Sequence, residues 1–328
     1  MAEISPKIKF YDKEKLDKIN PQTMKLWKKY EIDMSLRELS PKTKDGYLND
    51  LQHWWLYIYD NQENQCITKL NEDDITEFLY FCKTQGNNSR RMKRRMSSIA
   101  AFYKFLRKKK IITESPMEFI DRPKKDTDII TQTFLTFDQV GLMRSKLNEN
   151  VEAAKTVSSI HNSLQIRCYA LFSLSTMARV TAISSIKWEQ INFDERTIDN
   201  VLEKEGYVVT LYFSQEVKEL LTGLRDFRAE NDISDNGFVF IAITDGEFHQ
   251  ITTGTLGQWC KKIGEMIDVP TLHPHDFRHS GSQLMKLAGA SVEDISSLLN
   301  HHGTDVTIKH YLRVDKKKIQ ESRDKFGM

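Results

Sequence analysis

The segment TLHPHDFRHSGSQLMKLAGASVEDISSLLNHHGTDVTIKHY, residues 271–311, decides the fold. It contains, in order, the pair His275 and Arg278, two adjacent histidines in LLNHHG, and the tyrosine of KHY. A further arginine, Arg179 in the triplet ARV, precedes Arg278 by 99 residues. This ordered set of residue types suits the binding of a phosphodiester and its attack by a phenol.

The two arginines are the candidate phosphate ligands. Attack on a phosphodiester adds negative charge to its nonbridging oxygens, and stabilising such charge is usually the largest catalytic contribution. Guanidinium groups are permanently charged, planar and bidentate, so we predict that Arg179 and Arg278 clamp the phosphate. Tyr311 is the predicted nucleophile. A free phenol has a pKa near ~10 and therefore needs a neighbouring base and a cationic field.

The remaining candidates handle protons and the phosphate. His275 lies three residues before Arg278, on the same face of one helical turn, and is predicted to transfer a proton. His301 is predicted to donate a hydrogen bond to the phosphate, and the adjacent His302 is the alternative. Lys204, in the LEKEGY turn between two predicted strands, is the candidate acid for the departing 5′-oxygen.

The front third of the chain has the pattern of amphipathic helices. Residues 39–60 and 70–82 repeat apolar side chains at helical spacing, and Ser40 and Asn71 are good N-caps for them. We assign the Trp54–Trp55 pair to the core rather than to base stacking.

A basic segment follows, RRMKRRMSSIAAFYKFLRKKK at 90–110, with ten basic residues and no acid. Its apolar stripe is Met92, Met96, Ile99, Tyr103 and Leu106. This stripe is predicted to face a core and to leave the basic side chains toward solvent or DNA. The candidate DNA-binding residues are Arg90, Arg91, Lys93, Arg94, Arg95 and Lys108. The alternative is an ordinary solvated charged face.

The chain is predicted to have two domains. Residues 119–133 read as a linker, because prolines, charges and threonines replace the periodic pattern, and they separate a helical domain at 1–118 from a second domain at 134–328. Residues 1–127 carry 26 Lys and Arg against 19 Asp and Glu, whereas the remainder carries 22 against 27. The front of the chain is therefore its electropositive part.

The second domain mixes helices with a few strands. A long helix is predicted near 156–177, a β-rich segment at 186–213 with a turn at Glu205-Gly206, and a helix at 214–231. The C-terminal part is again helical. The predicted fold class is mainly α with a small antiparallel β-sheet.

Composition excludes several other classes of protein. No run approaches 18 apolar residues, so no membrane span is expected, and the charged N-terminus lacks a signal core. A cytoplasmic protein follows as the default expectation. The four cysteines have neither CxxC spacing nor a histidine at ligand distance along the chain, so we expect reduced thiols and no metal site.

The 271–311 segment resembles the signature block of the tyrosine recombinase (phage integrase) family. ARVTAISSIKWEQINF at 178–193 resembles the block around that family's first catalytic arginine, and the front third resembles its helical core-binding domain. The resemblance implies a helical core-binding domain, a mixed α/β catalytic domain and a C-shaped clamp around duplex DNA. It assigns catalytic roles to Arg179, Lys204, His275, Arg278, His301 and Tyr311.

Family membership implies a covalent 3′-phosphotyrosyl intermediate, a free 5′-hydroxyl and strand exchange through a Holliday junction. It implies no metal or nucleotide cofactor. The expected partners are double-stranded DNA and a homo-tetramer on paired sites (a dimer or monomer when free). The sequence leaves open whether an accessory directionality protein is required. The expected function is integration or excision of a mobile element. The alternatives are a relaxing topoisomerase of the same chemistry and a DNA-binding protein without catalysis.

Two positions depart from the family pattern. The family often has an acid three residues after its first arginine, and this chain has Ala182, so support for Arg179 must come from elsewhere. The usual glycine before the later histidine is Asn300, which a helix C-cap accommodates. The tail at 312–328 is predicted either to dock on a neighbouring subunit or to fray.

Overall fold

The computed structural model describes residues 12–124, 134–203, 206–244 and 246–300. The chain divides into two compact units, Met1–Ile130 and Thr131–Met328. Helices dominate and the sheets are small and antiparallel, which confirms the predicted fold class. The predicted bounds of the linker stay a prediction, because 125–133 lie outside the described residues. In the described ranges, no helix is both long and apolar enough to traverse a lipid bilayer.

The first unit is helical throughout its described part. Its elements are α1 (Lys13–Leu16), α2 (Pro21–Leu36), α3 (Pro41–Asn61), a 3-10 turn (Ile67–Lys69), α4 (Glu72–Thr84) and α5 (Ser89–Lys108). Both predicted caps are present. The Ser40 hydroxyl accepts from the backbone N–H of Thr43 at 3.3 Å, and Asn71 forms a reciprocal capping box with Asp74. These caps satisfy backbone donors that a helix start leaves unpaired.

The core of the first unit confirms the predicted stripe of α5. Met92, Met96, Ile99, Tyr103 and Leu106 are all buried. The tryptophan pair at 54–55 is buried with them, as predicted. The Tyr103 hydroxyl donates to the carbonyl oxygen of Ile67 at 2.8 Å, so this phenol keeps a hydrogen bond inside the core.

The second unit packs helices around two small sheets. Its helices are α6 (Phe137–Ala153), α7 (Val157–Thr176), α8 (Val180–Ile183), α9 (Gln215–Glu230), α10 (Thr253–Met266), α11 (Pro274–Leu287) and α12 (Val292–Leu298). Its strands are β1 (Ile191–Asn192), β2 (Thr197–Leu202), β3 (Val208–Tyr212), β4 (Ile241–Thr244) and β5 (Glu247–Gln250). The first three strands form one antiparallel sheet in sequence order, and β4 and β5 form a separate hairpin that we did not predict.

Helices α7 and α11 approach each other closely at Gly281. A Cβ atom built there would lie 2.4 Å from the carbonyl oxygen of Leu174 and 2.6 Å from Cγ of Met177. Both distances are shorter than real carbon contacts, so only glycine fits between the two helices. This contact brings the arginine of α11 to the end of α7.

A buried arginine ties α7 and α9 together. The Arg228 guanidinium, 2% exposed, donates to Nε2 of His161 at 2.9 Å, to Oε1 of Gln165 at 2.8 Å and to Oδ2 of Asp235 at 3.2 Å. It also donates to two backbone carbonyls before β4. Burial and the charge of Arg228 lower the pKa of His161 to about 4, so this histidine is a neutral acceptor near neutral pH.

Candidate active site

Arg278 lies in the second turn of α11. Pro274 occupies the first turn of that helix. Oδ2 of Asp276 accepts from the backbone N–H of His273 at 2.9 Å and so caps the N-terminus of α11. The Arg278 side chain is only 1% exposed. Its Nη1 donates to the carbonyl oxygen of Met177 at 2.6 Å, and its Nη2 donates to that of Leu299 at 2.7 Å. The guanidinium is thereby fixed between the ends of α7 and α12.

Arg179 lies two residues beyond one of those carbonyls. Met177 ends α7 in the left-handed conformation, with φ 52°, and Arg179 is the N-cap residue of α8. Its Nη1 forms an ion pair with Oε2 of Glu203, next to the end of β2. The Arg179 side chain is 30% exposed and that of Glu203 only 4%. One short junction therefore contains Arg179 and also supplies a carbonyl oxygen that binds Arg278. The catalytic roles of the two arginines stay a prediction.

His275 shares the electrostatic environment of both arginines. Although the residue is exposed overall, partial desolvation lowers the pKa of its ring, and the positive charges of Arg278, His273 and Arg179 lower it further. Its ring meets that of His279 edge to face at 4.8 Å between centroids. A lowered pKa favours the neutral imidazole, which is the form that accepts a proton.

The basic segment forms α5, and its charged side chains take different positions. Arg90 and Lys108 are exposed, and Arg91 and Lys93 are partly buried. The pKa of Arg91 is lowered by desolvation and by the charges of its neighbours Arg95 and Arg94. Concentrated positive charge of this kind favours binding of an anion.

The predicted orientation of Arg95 is wrong. Its side chain turns inward, is 6% exposed and brings Nη1 to 3.5 Å from Sγ of Cys82. Arg94 remains half exposed but binds Asp50, 1% exposed, through Nε at 2.8 Å and Nη2 at 3.2 Å. The Ser98 hydroxyl donates to the same carboxylate at 2.9 Å. Two of the six candidate DNA-binding residues therefore also hold α5 in place.

Residues 135–318 match the phage integrase family, and residues 28–110 match the N-terminal SAM-like domain of phage integrases. The first match alone spans more than half of the sequence. The chain belongs to the phage integrase family. This confirms the resemblance to tyrosine recombinases, and with it the expectation of an enzyme of site-specific DNA recombination.

Named relatives of this family member support the same assignment. The chain is 25% identical over 300 residues to tyrosine recombinase XerC of Pediococcus pentosaceus, covering 88% of this chain and 93% of the relative. Its fold is similar to that of the XerH site-specific recombinase bound to palindromic difH substrate, in a post-cleavage complex. The TM-score is 0.69, with 14% identity over 88% of this chain and 81% of that one.

A second solved structure of similar fold is the Tn1549 transposon integrase in complex with circular intermediate DNA. Here the TM-score is 0.65, with 16% identity over 90% of this chain and 98% of that one. At these identities the two structures establish a shared fold.

Three predicted site residues, Lys204, His301 and Tyr311, lie outside the described residues. Sequence reasoning in turn missed Glu203, the partner of Arg179. The available signal was Ala182: with no acid at that position of α8, another carboxylate was needed. Nothing in the local pattern of VLEKEG distinguishes Glu203 from Glu205, so the residue itself was found only by the fold.

Proposed function

We propose that this recombinase cleaves and rejoins DNA at specific sites through a covalent bond between Tyr311 and a 3′-phosphate. The observation that carries the proposal is the α7–α8 junction, where the Met177 carbonyl anchors the Arg278 guanidinium and Arg179 follows two residues later. Two fixed positive charges at one place suit a reaction centre that gains negative charge. The depressed pKa of His275, to which both arginines contribute, supports the same location.

The proposed step is an in-line displacement at phosphorus. The Tyr311 oxygen bonds to phosphorus, the bond from phosphorus to the 5′-oxygen breaks, and a 5′-hydroxyl leaves. The phenolic proton passes to His275, and Lys204 protonates the departing oxygen. His301 donates a hydrogen bond to the phosphate. Attack by the 5′-hydroxyl of another strand reverses these transfers and releases the tyrosine, so the bond energy is conserved without metal or nucleotide.

The Arg278 guanidinium has to become accessible before it can bind a phosphate. In the DNA-free chain its guanidinium is 1% exposed and bound to two carbonyl oxygens. We infer that binding of DNA uncovers this group and exchanges at least one carbonyl for a phosphate oxygen. Arg179, 30% exposed, is already accessible.

The proposed partner is double-stranded DNA, contacted by α5 of the first unit. Arg90, Arg91, Lys93 and Lys108 are the proposed phosphate ligands, with Arg94 contributing through its exposed half. Arg95 is removed from this set because it is buried.

Recombination between two sites needs four active centres, so a homo-tetramer on paired sites is part of the proposal, with a dimer or monomer in the absence of DNA. The proposed location of the protein is the cytoplasm.

The identity of the recombined DNA is a separate question. The similarity to tyrosine recombinase XerC favours a site-specific recombinase of that type, not tied to a mobile element. The similarity to the transposon integrase favours a second candidate, integration or excision of a mobile element with an accessory directionality protein. Sequencing the captured DNA separates them, because a mobile element is flanked by repeats on both sides of its cargo.

The decisive experiment captures the covalent adduct. Sheared, nicked DNA of the cell that encodes this chain is incubated with the protein and a metal chelator, then denatured and assayed for DNA-linked protein. The wild type is expected to form an adduct, because the nick lets the cleaved fragment diffuse away. Tyr311→Phe is expected to form none, since it lacks only the attacking oxygen.

Three other outcomes contradict the proposal. A wild type that gives no adduct on any fragment is a DNA-binding protein without catalysis. An adduct that persists in Tyr311→Phe assigns the nucleophile elsewhere. A protein that relaxes supercoils on arbitrary DNA and never exchanges strands is a topoisomerase.

A further inference from the structure

The ion pair of Arg179 and Glu203 joins a buried residue to an accessible one. Glu203 is 4% exposed and Arg179 is 30% exposed. A buried carboxylate is strongly destabilising unless a cation compensates it, so the Glu203 side chain and the Arg179 guanidinium stabilise each other. Glu203, the buried partner, has little room to move and so fixes the position of the ion pair. The arginine is therefore held by the protein at this ion pair, while 30% of its side chain stays exposed.

Helix α8 cannot hold the arginine by itself. Its sequence is VTAI, without an acid, and Ala182 at its third position is 0% exposed in the core. The carboxylate comes instead from the end of β2, 24 residues further along the chain.

We propose that Glu203 is a positioning residue for the proposed cleavage reaction, and that it orients Arg179 toward the scissile phosphate in place of the acid that α8 lacks. This inference rests on the proposed function. It assigns Glu203 no contact with DNA. Its effect passes through the ion pair with Arg179.

Only one oxygen of Glu203 takes part in the ion pair. Oε2 binds Arg179, whereas Oε1 is buried and accepts no hydrogen bond from the described residues. Glutamine keeps the size of the side chain and an acceptor oxygen but not the negative charge, so Glu203→Gln isolates the contribution of charge. Because a buried carboxylate and a guanidinium attract each other through their charges, loss of that charge is expected to weaken the hold on Arg179.

The opposite role for Glu203 makes an opposite prediction. If the carboxylate competes with the phosphate for Arg179, its removal frees the guanidinium and raises both DNA affinity and cleavage rate. If it positions Arg179, its removal lowers the cleavage rate and changes DNA affinity little. Position 203 also precedes Lys204 in the chain, so an effect through Lys204 has to be separated from one through Arg179.

The experiment measures single-turnover cleavage of the nicked duplex captured by the wild type, together with its dissociation constant. Glu203→Gln and Glu203→Ala are compared in the wild-type and Arg179→Lys backgrounds. We expect Glu203→Gln to slow cleavage about a hundredfold, the effect of misplacing a catalytic group by about 1 Å. In the Arg179→Lys background it is expected to add little, since residues that act together are non-additive.

A second measurement does not depend on cleavage. In protein labelled with ¹⁵N-arginine, the Nε–Hε signal that disappears in Arg179→Lys reports directly on Arg179. Glu203→Gln is expected to shift this signal and to speed its exchange with water. Glu195→Gln, an exposed residue between β1 and β2, is the matched control and is expected to change neither readout. Thermal melting checks that every variant is folded.

Three results overturn the inference. Cleavage by Glu203→Gln at the wild-type rate or faster removes the positioning role. Equal slowing in both arginine backgrounds assigns the effect to Lys204 or to the fold. An unchanged Arg179 signal in Glu203→Gln removes the ion pair itself. A wild type that cleaves no DNA contradicts the proposed function instead, and the arginine signal still decides whether Glu203 holds Arg179.

Discussion

The absence of one methyl group at residue 281 sets how closely α11 approaches α7. Leu174 and Met177 occupy the space that any Cβ atom there would need. The same contact determines whether the Arg278 guanidinium reaches the Met177 carbonyl, because that hydrogen bond is 2.6 Å long and tolerates little displacement. A glycine without a side chain thus controls the position of the arginine that we propose as a phosphate ligand.

Gly281→Ala is therefore expected to reduce both stability and cleavage. Overpacking of a tight interface costs about 1–3 kcal/mol, and Arg278 is displaced with its helix. Urea denaturation and single-turnover cleavage measure the two effects. Gly223→Ala, in α9 with open space around its Cβ position, is the control and is expected to stabilise the protein by about 0.5–1 kcal/mol. Equal behaviour of the two variants would show that the close approach is unimportant.

Arg95 and Glu203 occupy positions that we did not predict from the sequence. Arg95 follows Met92 by three positions and precedes Ile99 by four, so it belongs on the buried stripe of α5. Its charge alone suggested the surface, and the periodicity was the better guide. Glu203 was not predictable in the same way, since a pairing across 24 residues depends on tertiary structure rather than on local pattern. The caps and the arginine–histidine motif, by contrast, depend on local spacing and were predicted.

Helix α5 has two faces with different roles. Its apolar stripe packs into the first core, and its exposed side carries the charges proposed to bind DNA. Between them, Asp50 on α3 fixes Arg94.

The hairpin of β4 and β5 was missed although Asp-Gly at 245–246 is a strong hairpin signal, because the flanking FVFIAIT segment is too uniformly apolar to show strand alternation.

Replacing Arg90, Arg91 and Lys93 together with alanine is expected to weaken DNA binding and to flatten its salt dependence. Removal of each side chain that binds a phosphate lowers the slope of log K against log salt by about 1. Titrations at several salt concentrations measure that slope. Lys28→Ala, exposed on α2, is expected to leave it unchanged, and Arg95→Ala to lower stability rather than the slope. An unaltered slope in the triple variant would make α5 an ordinary solvated face.

The two units have separate hydrophobic cores. Each unit also contains a histidine whose lowered pKa keeps it neutral near neutral pH. In the first unit, desolvation and the charges of Arg95 and Arg91 lower the pKa of His53 to about 4. In the second, desolvation and Arg228 lower that of His161 to about 4. Unfolded histidine has a pKa near ~6.5, so between these values the unfolded chain binds more protons. Both units thus lose stability as the pH falls from about 6.5 to 4.

His161→Gln is expected to reduce this acid sensitivity. Glutamine retains an acceptor for Arg228 but cannot be protonated, and full titration of His161 is worth at most about 3 kcal/mol. Urea unfolding of the second unit at pH 7.5 and pH 5 measures the difference. His249→Gln, exposed on β5, is the control. If His161→Gln loses stability as steeply as the wild type on acidification, the buried histidine does not govern the response.

The left-handed turn at Met177 has a mechanical consequence. The carbonyl that anchors the Arg278 guanidinium and the Cα atom of Arg179 are only two peptide units apart along the backbone. A change in the left-handed backbone at Met177 therefore moves the anchor of one arginine and the base of the other together. A substitution that disfavours this conformation, such as Met177→Val, is expected to disturb both arginines at once, although it alters neither side chain.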